Sequence, residues 1–275
     1  MGDDIASRPG WGVLLGGEAF DLEDWQEALK RPFDPWVVET EDGLILRSSL
    51  LDPATTASEA YERAKALMDK VNGALGVSHG ARVVRLERIA EILSDGTRQL
   101  QVFGQFDVVE RPDKARFIGV VFGPDGKPKP PPPPGPSNPQ RLLSIAAEDD
   151  LLADALTYFG RGDDWFDIYK GLECLVERFG GGDPDKFCAR GWADPDQITR
   201  LIRTANTYRH ARGKPGPRPQ PSPMERTEAR GLLAKLMARA FHEAPTTPRP
   251  PPSKRQKKRQ KKRQKKQKVK AKLNG

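Results

Sequence analysis

Hydrophobic and polar residues alternate along much of the N-terminal part of the chain, with the period of two that is typical of β-strands. The clearest case begins at Gln99, where Leu100, Val102, Phe106 and Val108 fall on one face and polar residues fall on the other. This alternation indicates a sheet with one face in water. Strands are predicted at 35–40, 44–48, 82–93, 99–110 and 116–122.

Short turns and one helix complete this first segment. Asp-Gly pairs at Asp42 and Asp95 separate neighbouring strand-like runs and indicate hairpins. The run Thr56-Ala57-Ser58-Glu59 is typical of a helix N-terminus, and Gly76 is the expected stop. Apolar residues between them recur at helical spacing, so we expect this helix to cover the dry face of the sheet. These residues are Tyr61, Ala64, Met68, Val71 and Leu75.

The second half of the chain has the longer hydrophobic period of helices. A first helix is predicted over 142–159, and a second carries an apolar face from Trp165 to Phe179. A third is expected to begin at Asp194 and a fourth at Ser222, since each precedes a proline that suits the first helical position. Four helices in about 100 residues would suffice for one core.

Proline divides these segments. Of 26 prolines, eight lie between Pro128 and Pro139, where a linker is more natural than an element interior. The sequence therefore predicts an α+β fold in which an antiparallel sheet with a packed helix is followed by a helical bundle and a disordered basic tail. The predicted boundaries are 10–124 for the α+β domain, 125–140 for the linker, 141–243 for the bundle and 244–275 for the tail.

Charge is distributed very unevenly along the chain. The formal net charge is +8, yet the 14 Lys and Arg residues after Glu243 leave −6 for residues 1–243. The last 32 residues contain no Asp or Glu. Attraction to a polyanion is therefore assigned to the tail rather than to a basic face of a folded domain.

The tail repeats Arg-Gln-Lys-Lys from Arg255, Arg259 and Arg263. Like charges without compensating acids predict a disordered segment. No aromatic residue interrupts the run, so we expect contacts to phosphates and no reading of bases. The residues assigned to nucleic-acid binding are Lys254, Arg255, Lys257, Lys258, Arg259, Lys261, Lys262, Arg263, Lys265, Lys266 and Lys268.

Three interpretations of the tail remain open at this stage. It binds RNA or DNA without sequence preference, it is solvated or docks on the acidic body, or it binds an anionic membrane or an acidic protein. The first is favoured, and it makes the chain a nonenzymatic nucleic-acid-associated binding or adaptor protein. No apolar run approaches the roughly 20 residues that cross a bilayer, so no membrane insertion is expected.

Two cysteines, Cys174 and Cys188, are too few for a disulfide framework and lack metal-site spacing. Cys174 sits among apolar residues of the second helix, where a buried thiol is expected. The acidic N-terminus has no hydrophobic signal segment. These features predict a cytoplasmic protein without a metal or another cofactor.

The third predicted helix carries the residues that favour catalysis. At about 100° per residue, Arg203, Asn206 and His210 share one face that lies away from the apolar stripe. Arginine grips a phosphodiester through two N–H groups, and histidine exchanges protons near neutral pH. The trio could therefore cleave RNA without a metal ion.

Arg203, six intervening residues and His210 resemble the Arg-x4-6-His signature of HEPN domains. These are small helical bundles in which paired protomers often form a metal-independent RNA-cleaving site. HEPN nucleases commonly place Asn, Asp or His after the arginine, and this chain has Thr204 there. The resemblance implies a toxin- or defence-type ribonuclease, and a homodimer through the helical domain, as the alternative function. The wider pattern around Trp165 is also similar to uncharacterised bacterial proteins.

Overall fold

The N-terminal part of the protein is an antiparallel sheet, as predicted, but its five strands include 10–16, which is not among the strands predicted above. The computed structural model describes residues 9–102, 135–162, 164–208 and 222–248. Within them the strand order is β2-β3-β1-β4-β5, so that β1 lies at the centre. The strands are β1 (Gly10–Gly16), β2 (Trp36–Thr40), β3 (Gly43–Arg47), β4 (Arg85–Ile92) and β5 (Arg98–Val102).

Both predicted hairpins are confirmed. Thr40 pairs with Gly43 across a turn of two residues, and Ile92 pairs with Arg98 across 93–97. Gly43 and Gly96 have φ values of +120° and +84°, which glycine adopts without steric cost. The Asp-Gly signals in the sequence therefore mark the real turns.

Helix α2 (Ala57–His79) begins where the sequence predicts, after a short helix α1 (Ala19–Ala28). The Thr56 side chain accepts a hydrogen bond from the Glu59 backbone N–H at 3.2 Å. The expected stop at Gly76 is wrong, because α2 continues to His79 and Gly80 takes the left-handed capping position with φ of +65°. Gly76 faces the Phe159 ring, and its small size serves this packing.

Helix α2 covers one face of the sheet, and it is not the face that carries Leu100. Buried residues of α2 pack with Val13, Leu46 and Ile89. Leu100 is opposite Ala90 and belongs to the other face, with Leu14 and Ile45. The prediction of one dry face is therefore wrong: both faces bury apolar residues, and the helix pattern alone does not encode which face it covers.

The second half of the described chain is helical, with more helices than expected. The predicted first helix is two helices that meet at Asp149, whose side chain accepts from the N–H groups of Leu151 and Leu152. The predicted fourth helix begins at Arg226 rather than near Ser222. The helices are α3 (Asn138–Glu148), α4 (Asp150–Arg161), α5 (Trp165–Gly180), α6 (Pro184–Cys188), α7 (Pro195–Tyr208) and α8 (Arg226–Glu243).

Helix α4 packs directly on α2 and so joins the helical half to the sheet. A Cβ on Gly73 would clash with the Leu156 carbonyl, and one on Gly160 would clash with the Asp69 carbonyl. The glycines allow the two backbones to approach closely. Gln140 adds a second tie, since its amide lies within 2.9–3.1 Å of three carbonyls in the loop before β2.

Several predictions fall outside the described residues. These are the strand at 116–122, positions 103–110 of the strand predicted over 99–110, most of the linker at 125–140, His210 and the cationic residues of the tail. The end of the predicted linker is helical, because α3 begins at Asn138 after a capping box between Ser137 and Gln140. Independent folding of the two predicted domains stays a prediction.

Candidate nucleic-acid interface

Helix α7 displays Arg203 to solvent, as the sequence predicts. The apolar stripe of the helix buries Ile198, Leu201 and Ala205, whereas Arg203 is exposed on another side. Arg203 forms no ion pair with a described residue. Its guanidinium is therefore available to an external anion.

The other two members of the predicted trio do not form a site with Arg203 in the described chain. Asn206 is half-buried, and its Oδ1 is buried without a hydrogen-bond partner among the described residues. His210 lies outside the described residues. Of the predicted trio, the structure thus shows the Arg203 side chain exposed to solvent and the Asn206 amide partly buried.

Thr204, which follows Arg203, has a packing role. Its side chain is 1% exposed, and its hydroxyl accepts a hydrogen bond from the Met224 backbone N–H at 3.1 Å. This bond holds the entry to α8 against α7. The residue that differs from the usual HEPN pattern therefore faces the interior and not the Arg203 side.

Many cations of the body are engaged by carboxylates. Arg98 contacts Glu41 at 2.5 Å and Asp42 at 2.7 Å. Similar pairs join Arg161 to Asp69 at 2.9 Å, Arg200 to Glu228 at 2.8 Å and Arg190 to Glu243 at 2.7 Å. Because these charges are locally compensated, they add little to long-range attraction of a polyanion.

The point from which the basic tail leaves the body is held in place. Thr247 lies just beyond α8, and its carbonyl accepts a hydrogen bond from Arg178 at 2.8 Å. Arg178 also pairs with Asp149, and the Arg178 side chain is only 5% exposed. A buried arginine thus ties α5, the start of α4 and the end of α8 together.

Glu243, the last residue of α8, is held by a second group. Its carboxylate accepts from Arg190 and from the Trp192 indole N–H, both at 2.7 Å. The hydrogen bond from Arg190 lowers the pKa of Glu243. The Arg190 guanidinium also lies 4.7 Å from the centre of the Trp192 ring. The described residues therefore fix the root of the tail at 243–247.

The start of α5 and the end of α7 form an aromatic pair that the sequence interpretation did not recognise. The Trp165 and Tyr208 rings stack with centroids 5.8 Å apart and planes 18° apart. Tyr208 is 56% exposed. Trp165 was expected on the apolar face of α5, and no signal in the sequence pairs it with Tyr208, because the two rings belong to different helices.

The two thiols are not activated. Burial raises the pKa of the Cys174 thiol to about 12, and burial also raises the pKa of Cys188. Buried thiols of this kind are poor nucleophiles. Within the ranges that the structure describes, no group of three His, Cys, Asp or Glu side chains is arranged to hold a metal ion.

A cleft of about 510 Å³ lies between α3 and the loops before β2 and after β3. Its walls are mostly apolar and include Phe33, Leu50 and Leu143, and Lys70 and Arg141 are among its polar lining residues. Gln140 also lines it, but its amide is engaged by backbone carbonyls. The cleft therefore lacks the convergent polar groups that orient a small ligand in most binding sites, as far as the described residues show.

No protein family, curated protein or solved structure matches this chain. Among the residues that the structure describes, no helix is both long enough and apolar enough to cross a membrane. The interpretation of function therefore rests on the charge distribution of the sequence and on the geometry given above.

Proposed function

We propose that this protein is a nonenzymatic nucleic-acid-associated binding or adaptor protein, which binds RNA or DNA through its polybasic C-terminal tail. The observation that carries this proposal is the separation of charge: 14 cations follow Glu243 without one carboxylate. A run of this kind neutralises phosphates and releases counterions, which favours binding to any nucleic acid.

The ion pairs of the body support this assignment. Arg98, Arg161, Arg190 and Arg200 are each compensated by a carboxylate of the body. The body as a whole is acidic, so its long-range field repels phosphates. Net positive charge is confined to the tail, and that is where we expect the main affinity for a polyanion.

The fixed root of the tail suits an adaptor. Arg178 holds Thr247, and Lys254 follows seven residues later, which limits its distance from Thr247 to roughly 25 Å. The cationic run therefore begins close to one end of α5 and α8. A nucleic acid bound by the tail would be kept beside the body, where the remaining surfaces can act on it or on a partner.

Removal of residues 254–275 tests the proposal. This change deletes 13 positive charges and leaves α8 and the Thr247 contact intact. We expect most of the affinity for labelled RNA and DNA to be lost while the melting temperature stays unchanged, because the deleted residues lie beyond the described core. Equal binding by the shortened and full-length proteins would refute the proposal.

A second candidate function is a HEPN-like metal-independent ribonuclease, and one observation favours it. Arg203 is exposed and forms no ion pair with a described residue, whereas Arg200, about one turn earlier on α7, is paired with Glu228. In this alternative, Arg203 would hold the phosphate, His210 would transfer a proton and Asn206 would assist. Two copies of α7 would have to face each other in a homodimer.

The two candidates differ in one assay. Labelled RNA is incubated with the protein in EDTA beside the variants Arg203→Ala and His210→Ala. The nonenzymatic proposal expects intact RNA in all three samples. Cleavage by the wild type that both variants abolish would establish the nuclease, and a strictly monomeric protein would count against it.

A further inference from the structure

We propose that the Trp165–Tyr208 stack is a platform on which the body binds an unpaired base of single-stranded nucleic acid. The inference rests on the proposed function, since the tail supplies the attraction that brings the strand to the body. It adds a second binding site, on the folded part of the protein, that uses stacking instead of charge.

The geometry of the two rings suits this role. Trp165 is half-buried at the start of α5 and stacks against the Tyr208 ring, with the ring planes only 18° apart. Tyr208 remains 56% exposed, although Thr204 and Ala205 in the preceding turn of α7 are buried. A rigid aromatic face open to solvent is what single-strand-binding proteins present to a base.

The charge around Tyr208 favours a nucleic acid. Between Asp196 and Glu225 the chain carries six Lys or Arg residues and no carboxylate. Arg209 directly follows Tyr208, and Arg212 lies within roughly 14 Å of it by chain length. The sequence around Tyr208 is therefore cationic even with Arg200 paired to Glu228, whereas residues 1–243 together carry a net charge of −6.

A second aromatic pair at the same end of the helical half provides a contrast. Phe166 is 45% exposed and lies edge-on to Tyr158, with ring centroids 6.4 Å apart. Asp164 caps α5 beside it, and the Arg161 guanidinium lies 5.5 Å from the centre of the Tyr158 ring. The two rings meet at 78° and form no stacked pair, so the two exposed aromatics make different predictions.

The platform is within reach of a strand held by the tail. Trp165 and Arg178 are 13 residues apart on α5, which corresponds to about 20 Å along the helix axis. Arg178 marks the root of the tail, so the stack lies about 20 Å from that root. A stacked strand rises about 3.4 Å per nucleotide and covers this distance in about six nucleotides.

The test compares two labelled probes on the full-length protein. One is a single-stranded RNA of about 12 nucleotides, a length within the range of known single-strand sites. The other has the same length and phosphates but abasic positions throughout. We expect the wild type to bind the RNA more tightly, because only the RNA can stack.

Tyr208→Ala should weaken RNA binding by about 5- to 150-fold and leave binding of the abasic probe unchanged. Tyr208→Phe keeps a ring and should bind like the wild type. Phe166→Ala removes an aromatic of similar exposure that is not part of a stacked pair, and we expect no change. The melting temperature of each variant shows whether the fold is intact, and Tyr208→Leu replaces the alanine variant if that one unfolds.

The outcomes separate the two proposals. Failure of the wild type to bind either probe overturns the proposed function. Tight but equal binding of both probes, or an RNA affinity that Tyr208→Ala and Tyr208→Leu leave unchanged, overturns the platform and leaves the tail as the binding element. Ultraviolet crosslinking of 5-iodouridine RNA to the peptide that contains Tyr208 gives an independent readout, and crosslinks confined to the tail would also overturn the platform.

Discussion

The body and the tail of this protein use cations in opposite ways. In the body, an arginine such as Arg178 is buried, pairs with Asp149 and donates to the Thr247 carbonyl. In the tail, 14 cations have no acidic residue among them. The contrast shows that a positive net charge alone is a poor guide to function: what matters is whether each positive charge already has a partner.

The largest expected effect concerns the salt dependence of binding. If the tail contacts about six to ten phosphates, raising the salt from about 50 to 200 mM should lower the affinity for double-stranded DNA by roughly 10³- to 10⁵-fold. Titrations at several salt concentrations measure this slope. A shallow slope for the full-length protein would mean that charge does not dominate DNA binding. The cations of the tail would then not differ in role from those of the body.

Breaking the buried ion pair of the body should have the next largest effect. Arg178→Met leaves Asp149 buried without its cation, and we expect a loss of about 3–5 kcal/mol in the free energy of unfolding. Denaturant titration measures this loss in the free energy of unfolding.

Glu228→Gln is the matched control for this change, since it removes only the exposed ion pair to Arg200. We expect the free energy of unfolding to fall by less than about 1 kcal/mol. Equal effects of the two variants would show that burial does not distinguish the pairs.

A smaller change tests whether the sheet and the helices form one packed body. Gly160→Ala places a Cβ against the Asp69 carbonyl of α2, which cannot move away as a flexible side chain could. We expect destabilisation of about 1–3 kcal/mol. Gly231→Ala in α8 meets nothing within 4 Å and should stabilise by about 0.5–1 kcal/mol. A stable Gly160→Ala variant would argue that α2 and α4 separate easily in solution.

The smallest effect expected is on thiol reactivity. The pKa of Cys174 is raised to about 12, so its thiol stays protonated and unreactive from pH 7 to pH 9. Cys188 is less buried and should react first with a disulfide reagent in the native protein. Rapid modification of Cys174 before unfolding would show that the core of the helical half opens readily.

The hairpins and the cap of α2 could be predicted because their signals are local. The end of α2, the division between α3 and α4 and the start of α8 could not be predicted, because tertiary contacts decide them. Gly76 resembles a helix stop, but its small size serves contact with Phe159. Ser222 and Pro223 resemble a helix start, yet Arg200 donates to both of their carbonyls and holds them beside α7. Asp149 ends one helix and caps the next without interrupting the apolar pattern.

The candidate site was predictable to a similar extent. Helical periodicity placed Arg203 away from the apolar stripe, and the structure agrees. The burial of the Asn206 amide oxygen and the bond from Met224 to Thr204 depend on packing between helices, which the sequence does not reveal. The Trp165–Tyr208 stack joins residues of two different helices, so no pattern within one segment indicates it.

The most direct test of the central claim keeps the length of the tail and removes its charge. A full-length variant in which every Lys and Arg from 254 to 272 becomes Gln retains the folded body and the Thr247 anchor. Its affinity for labelled RNA is measured beside that of the wild type at about 50 mM salt, where phosphate contacts are strongest. The account predicts that the neutral tail loses nearly all of the affinity. Binding equal to that of the wild type would contradict it and would place the nucleic-acid site on the body.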